Sequence, residues 1–362
     1  MSFFLIWGMK ILVVIDSFKG CITSNEANMA AADGIKAADR LAEVTAVNVS
    51  DGGEGWLTAW QDACGGRLVR VNAVDALLRP VTGEYIIDGS RAVIEIARVC
   101  GLAQLSRDEL QPVRASSYGV GLLVADAVKR GCRNIIVGLG GSATSDCGVG
   151  MLKALVDSFA PDGTIDDAAI LKEVTFTIAT DVDNPLCGDR GAAYVFAPQK
   201  GASPSEVEQI ERRAVRFAKV SAKHFGYDRQ RMAGAGAAGG LGYAFMQYLN
   251  ATRVSGAELL LDAAGFDEML QGTLIVITGE GRADRQTLMG KLPFAILHRC
   301  KRRNVPVALL AGQVADRTQL IDAGFSRVEC INPPTLSYDD AMLPDTAVEN
   351  IRETVMGIIN DL

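Results

Sequence analysis

The chain has 362 residues, of which 49% are hydrophobic and 22% charged, with a net charge of −7. That profile is globular, and the length favours two domains over one. The acidic balance excludes a broad nucleic-acid surface, which needs a basic face to neutralise phosphates, but leaves room for a small anion held by a few concentrated cations.

The first eight residues, MSFFLIWG, are apolar. They lack a basic start and a small-residue cleavage site and are too short to span a bilayer, so they are given no role. KILVVID (10–16) then reads as a buried parallel strand, being a β-branched apolar run. Ser24 and the Ala-rich stretch to Arg40 predict a helix. EVTAVNV (43–49) predicts a second strand and GWLTAWQDACGG (55–66) a short helix stopped by glycines. LVRVNAV, RPVTGEYII and RAVIEIA, between 68 and 97, alternate apolar with polar and predict antiparallel strands. A helix over 119–131, a strand at 134–139 and a further helix follow, then the strand TFTIATDV (175–182), a charged helix over 205–223 and a helix opening from glycines at 234–249. The strands TLIVITGEG, VPVALLAGQ and RVECINP alternate with helices at 292–303, 315–323 and 345–361.

Both chain ends thus carry the β-α-β style of a parallel sheet, whereas the middle is mixed. The expected fold class is α/β with two α/β domains. One is a Rossmann-like parallel-sheet domain formed by both chain ends (9–70 plus 273–362). The other is an inserted mixed-sheet α/β domain (71–272), with the active-site cleft between the two.

Chemistry concentrates where strands end. DSFKG, SDGGEG, GLGGSATSD, TDVDNPLCG and TGEGRADRQT each follow a predicted strand, and ligands of open α/β sheets bind beyond the carboxyl ends of strands. Any one of these loops is compatible with an ordinary turn or cap. Five together point to a polyanion and a metal. GLGGSATSDCGVG lacks the lysine of a Walker loop, so the cations must come from elsewhere, and Lys19, Lys200, Arg282 and Lys291 are the candidates. The acids Asp16, Asp51, Asp181, Asp183 and Asp284 suit Mg²⁺, which takes one or two carboxylates with waters. Phosphoryl transfer needs this mixture of acid, metal, cation and backbone cradle. GAGAAG (234–239) matches G-x-G-x-x-G only formally, since no strand precedes it. This and the absence of a well-placed histidine weaken an oxidoreductase reading. Retention of acids and cations in the loops weakens that of a silent sensor. The eight cysteines form no C-x-x-C pair and read as reduced thiols. The two histidines, His224 and His298, read as surface or satisfied residues.

Beyond these residue-level readings, the chain resembles the bacterial type I glycerate kinases. The likeness is carried by IDSFKG (15–20), VSDGGEG (49–55), IIVGLGGSATSDCGVGMLKAL (135–155), ATDVDNPLCGDRGAAYVFAPQKGAS (179–203), GAGAAGGLG (234–242) and VITGEGRADRQTLMGKLP (276–293). It implies ATP- and Mg²⁺-dependent phosphorylation of D-glycerate, with 2-phosphoglycerate as the usual product. The expected partner is a small molecule, with no nucleic acid and no membrane, and a cytoplasmic monomer or homodimer is expected.

The site expected from motifs and resemblance together is as follows. Asp16, Lys19, Asp51 and Arg282 are catalytic, with Asp16 or Asp51 as the base. Gly140, Gly141, Ser142, Ala143, Thr144, Lys200, Gly279, Gly281 and Lys291 bind the nucleotide phosphates. Ser17, Gly52, Gly53, Glu54 and Arg114 bind substrate, with Arg282 or Arg114 on its carboxylate. Asp181, Asp284 and Asp146 hold the metal. The chain departs from the family at Ile15, Cys21, Ile22, Ser145, Cys147 and Trp56. Ser145, Cys147 and Trp56 are expected to border the site and tune substrate preference.

Overall fold

The computed structural model describes residues 8–50 and 52–362; the apolar segment 1–7 and the candidate base Asp51 lie outside the described residues. The chain divides into two compact units. The first is the described part of Met1–Ser50 with Asp62–Cys64 and Ala257–Leu362; the second is the described part of Asp51–Gln61 with Gly65–Gly256.

The first unit is built on β1 (Lys10–Ile15), β2 (Glu43–Ala46), β9 (Ile275–Ala283), β10 (Val307–Val314) and β11 (Arg327–Cys330). They form one sheet in the order β11-β10-β9-β1-β2, and every pairing is parallel. This is the parallel sheet expected from the two chain ends. Ile11, Val13 and Ile15 of β1 pack against Ala27, Ala31 and Ile35 of the helix Ser24–Ala38 and against Ile351 and Val355 of the helix Pro344–Asn360. Leu12 and Val14 are equally buried, so both faces of β1 are covered, which explains its unbroken apolar run. The two helices approach so closely that a Cβ on Gly34 would lie 2.4 Å from the Arg352 carbonyl oxygen. The predicted second strand is shorter than its apolar pattern suggested and ends at Ala46.

The second unit contains β3 (Arg67–Val74), β4 (Pro80–Asp88), β5 (Arg91–Glu95), β6 (Asn134–Gly138), β7 (Thr175–Ala179) and β8 (Thr252–Val254), paired in chain order. The β3-β4 and β4-β5 pairings are antiparallel and the rest parallel, giving the expected mixed sheet. Ala92 and Ile94, Ile135 and Val137, and Phe176 and Ile178 form its core with apolar residues of the helices Tyr118–Lys129, Val149–Phe159 and Ala237–Leu249. The last of these opens from its glycines, as read from the sequence. Ala238, Gly239 and Gly240 are all left-handed, so regular helix begins only after them. A Cβ on Gly239 would lie 2.0 Å from the Thr144 carbonyl oxygen, which is why glycine stands there.

Candidate functional site

In the first unit the chain leaves β1 towards β2 on one side, while β9 pairs on the other. The carboxyl ends of β1 and β9 therefore form a switch point, where open α/β sheets bind ligands. Asp16 follows β1 directly. Its backbone N–H donates to the Gly279 carbonyl at 3.0 Å, and its Oδ1 accepts the Ser17 N–H at 2.7 Å. Phe18 is buried and pairs with Ile22 across a tight turn whose Gly20 has φ +80, and this turn displays Lys19 at the surface. A Cβ on Gly281 would lie 3.9 Å from the Lys19 backbone nitrogen. The structure thus gathers Asp16, Ser17, Lys19, Gly279 and Gly281.

Beyond Gly279 lies a residue absent from the expected set, Glu280. It is 6% exposed and accepts Thr287 Oγ1 at 2.5 Å and Lys291 Nζ at 2.7 Å. Lys291 also reaches the Arg282 carbonyl at 3.5 Å. Arg282 is exposed and donates to Asp284 Oδ2 at 3.1 Å. Asp284 Oδ1 accepts the Gln286 N–H at 2.8 Å.

The second unit explains its glycines by close approach. Gly140 donates to the Gly52 carbonyl at 2.9 Å, and a Cβ on Gly140 would sit 2.1 Å from Gly53 Cα. The SDGGEG and GLGGSAT loops are therefore in backbone contact, which side chains would prevent. Leu102 N–H donates to the Gly141 carbonyl and Ala143 N–H to the Cys100 carbonyl, pinning the loop's far side. Among the described residues, no protein acceptor takes the N–H of Gly141, Ser142 or Ser145. Unpaired amides on either side of the bonded Ala143, in a loop after a strand, suit an anion.

Lys200 lies beneath this loop, 3% exposed. Its ammonium donates to Ser142 Oγ at 2.9 Å and to the Thr144 carbonyl at 2.6 Å. Burial pushes its pKa down to about 8, against the opposing influence of Cys100 and Asp146. Asp146 is engaged from four sides. Its Oδ2 accepts the N–H of Ser117 and Gly150 and the Ser117 hydroxyl, and its Oδ1 accepts the Gly148 N–H.

Glu95, at the end of β5, is 1% exposed. It accepts the Leu57 N–H at 2.8 Å at the start of the helix Trp56–Cys64, and its Oε1 lies 3.5 Å from Arg98 Nε. Burial raises its pKa, while the Leu57 amide and Arg98 oppose that shift. Glu95 thus anchors the residues that follow Gly52, Gly53 and Glu54. Asp181 is half-buried after β7, and Asp183 pairs with Arg253 of β8 at 2.7 Å. Arg114 is exposed on the turn that begins at Gln111. Trp56 does not line a surface. It is wholly buried, and a Cβ on Gly138 would meet its ring at 2.8 Å.

Among the described residues, no three or more His, Cys, Asp or Glu side chains gather as a metal nest. Glu95 and Arg253 were missed by the motif reading, and Glu280, inside the TGEGR stretch, was not singled out. For the two glutamates a signal existed, a lone acid inside or ending an apolar strand (TGEG and VIEI). For Arg253 there was none.

A parallel sheet and a mixed sheet, with Gly-rich loops where their strands end, define an α/β protein. The sequence profile of the Glycerate kinase family matches residues 11–362. The glycerate kinase of Halalkalibacterium halodurans is 36% identical over 92% of this chain and 93% of its own. That of Bacillus subtilis is 35% identical over 97% of both, and the glycerate 2-kinase of Escherichia coli is 35% identical over 88% of this chain and 90% of its own. A crystal structure from Salmonella typhimurium LT2 that bears the glycerate kinase 2 name superposes with a TM-score of 0.78, at 33% identity and 98% coverage of both chains. The chain belongs to the glycerate kinase family, whose members are ATP-dependent kinases acting on a hydroxyl group. No helix among the described residues is long and apolar enough to cross a membrane.

Proposed function

We propose that the chain transfers the γ-phosphate of ATP to the 2-hydroxyl of D-glycerate, giving 2-phosphoglycerate in the cytoplasm. The supporting observation is the Gly140–Thr144 loop. It is held by Gly52 and Cys100, and no protein acceptor takes its Gly141 and Ser142 amides among the described residues. Those amides suit the nucleotide phosphates. Asp16 or Asp51 accepts the hydroxyl proton, Lys19 balances charge on the transferring group, and Arg282 or Arg114 holds the glycerate carboxylate.

Mg²⁺ takes one or two carboxylates with waters and phosphate oxygens as its other ligands, so single acids rather than a carboxylate nest are the candidates. Asp181, half-buried after β7, fits as a single carboxylate, whereas Asp284 has its Oδ1 taken by the Gln286 N–H and its Oδ2 by Arg282. Asp146 likewise fits less well, because both its oxygens already accept hydrogen bonds. Mg²⁺ bound with ATP supplies neutralisation of the transferring phosphoryl group.

The test is ADP release with D-glycerate, followed by ³¹P NMR of the product. A 2-phosphoglycerate signal supports the reading. A 3-phosphoglycerate signal overturns the regiochemistry alone, and nucleotide binding without turnover overturns the activity.

A further inference from the structure

Lys200 cannot serve a ligand as a surface lysine does, being 3% exposed. Its backbone is held independently of the glycine loop. It closes the turn Pro198–Lys200, and the next residue, Gly201, has φ +91 with a Cβ position only 2.8 Å from Leu110 Cβ. From that fixed base the ammonium reaches up to the Ser142 hydroxyl and the Thr144 carbonyl. The direction of that second bond matters. In a planar trans peptide the C=O and the following N–H point opposite ways. A Thr144 carbonyl turned down to Lys200 therefore turns the Ser145 N–H to the other side, where no protein acceptor takes it among the described residues. A buried positive charge under the same loop also favours an anion on it.

We propose that Lys200 is a positioning residue. From beneath the Gly140–Thr144 loop its ammonium fixes the Thr144–Ser145 peptide and aims the Ser145 amide at a phosphate of the bound nucleotide. The proposal rests on the reading that this loop holds ATP.

The test compares the full-length wild type, Lys200→Met and Ser142→Ala. Steady-state KM values for ATP and D-glycerate are measured, with ATP binding by calorimetry and folding by circular dichroism. Lys200→Met keeps the stem and removes the charge. It is expected to raise the KM and Kd for ATP about tenfold, with the KM for D-glycerate within about threefold of wild type. Ser142→Ala removes one acceptor and is expected to raise the ATP values by about threefold. ATP values at the wild-type level in folded Lys200→Met overturn the proposal, as do equal rises in both KM values. Where Lys200→Met does not fold, wild-type ATP affinity in Ser142→Ala overturns it. A wild type that binds ATP but does not phosphorylate D-glycerate sinks the functional reading alone, and the calorimetric comparison still decides the role of Lys200.

Discussion

Asp146 Oδ2 accepts the backbone N–H of Ser117 at 2.8 Å, and by this one contact the starts of two helices are tied together. The same oxygen accepts the Gly150 N–H at the head of the helix Val149–Phe159. Ser117 stands at the cap of the helix Tyr118–Lys129, and its hydroxyl accepts the Met151 N–H at 3.0 Å. A carboxylate among helix-start amides is favoured by both hydrogen bonding and dipole. Asp146→Ala should therefore lose about 2 kcal/mol or more of stability in urea denaturation, and Ser117→Ala less. Asp146→Asn, which keeps part of the bonding, should show the wild-type dependence of rate on Mg²⁺ concentration. An Asn variant of normal stability whose Mg²⁺ requirement rises tenfold would instead make Asp146 a metal ligand.

The contact between the two glycine loops should tolerate no side chain. Gly140→Ala would place a Cβ 2.1 Å from Gly53 Cα, backbone against backbone, so nothing flexible can yield. The expected outcome is loss of ATP binding or of the folded state. Gly131→Ala is the control. It has φ +93 but no atom within 4 Å of its Cβ position. It should cost about 1 kcal/mol through backbone strain and leave the KM for ATP unchanged. Gly140 itself has no left-handed φ, so equal behaviour of the two variants would show that close approach to Gly53 is not what requires glycine there.

Asp16 carries a prediction about rate. Its backbone is locked to Gly279, so Asp16→Asn should fold normally. As a general base it should lose about 10²–10⁴-fold in kcat. If Asp16→Asn and Asp51→Asn each stay within about threefold of wild-type kcat, neither acid is the base.

Much of this architecture was readable from the chain because its strands are buried on both faces. β1, β6, β9 and β10 each carry a buried apolar run (ILVVI, IIV, IVI and VALLA) that leads into glycine, acid or threonine, a pattern that half-exposed strands and surface helices do not produce. β8 escaped notice for the opposite reason. It has three residues, one exposed and two half-buried, so no periodicity could mark it. The site was legible as a set of loops, but the direction of each side chain was not. Pro198 and Gly201 drew attention to Lys200, yet nothing local says whether a lysine in a tight turn points out to solvent or in beneath a loop 56 residues away. Trp56 misled similarly, since its place beside a glycine motif suggested a lining residue, whereas its ring fills the space that Gly138 leaves. Close approach between distant segments is a tertiary fact, and only the density of glycine hinted at it.

Glu280 and Lys291 should be coupled in stability as well as in any ligand role. Glu280 is buried, and its two oxygens are served by Thr287 and Lys291. Lys291→Met leaves the carboxylate short of a partner, whereas Glu280→Gln with Lys291→Met removes the charge that needed one. Because the lysine side chain is 41% exposed, solvent screens the pair. A double-mutant cycle should give a coupling of about 1 kcal/mol. Additive effects would mean that Lys291 is placed by its backbone alone, free to serve a phosphate without releasing Glu280.

The buried ammonium of Lys200 should leave a mark on stability against pH. Its pKa is pushed down to about 8 by burial, while in the unfolded chain it titrates near the ordinary lysine value of about 10.4. Below pH 8 both states hold the proton, and folding bears the full cost of burying the charge. Between about 8 and 10.4 the unfolded chain binds more protons than the folded one, so this group's contribution to stability rises with pH. The slope has an upper limit of about 1.4 kcal/mol per pH unit. Cys100, which faces the ammonium, is itself pushed up to about 12 by burial and so stays protonated through this window. Urea unfolding of wild type and Lys200→Met from pH 7.5 to 10 isolates the term by difference. The stability of wild type relative to the variant should increase with pH. A flat difference would mean that the ammonium keeps its proton throughout, held by Ser142, Thr144 and the nearby Asp146 more strongly than burial opposes it.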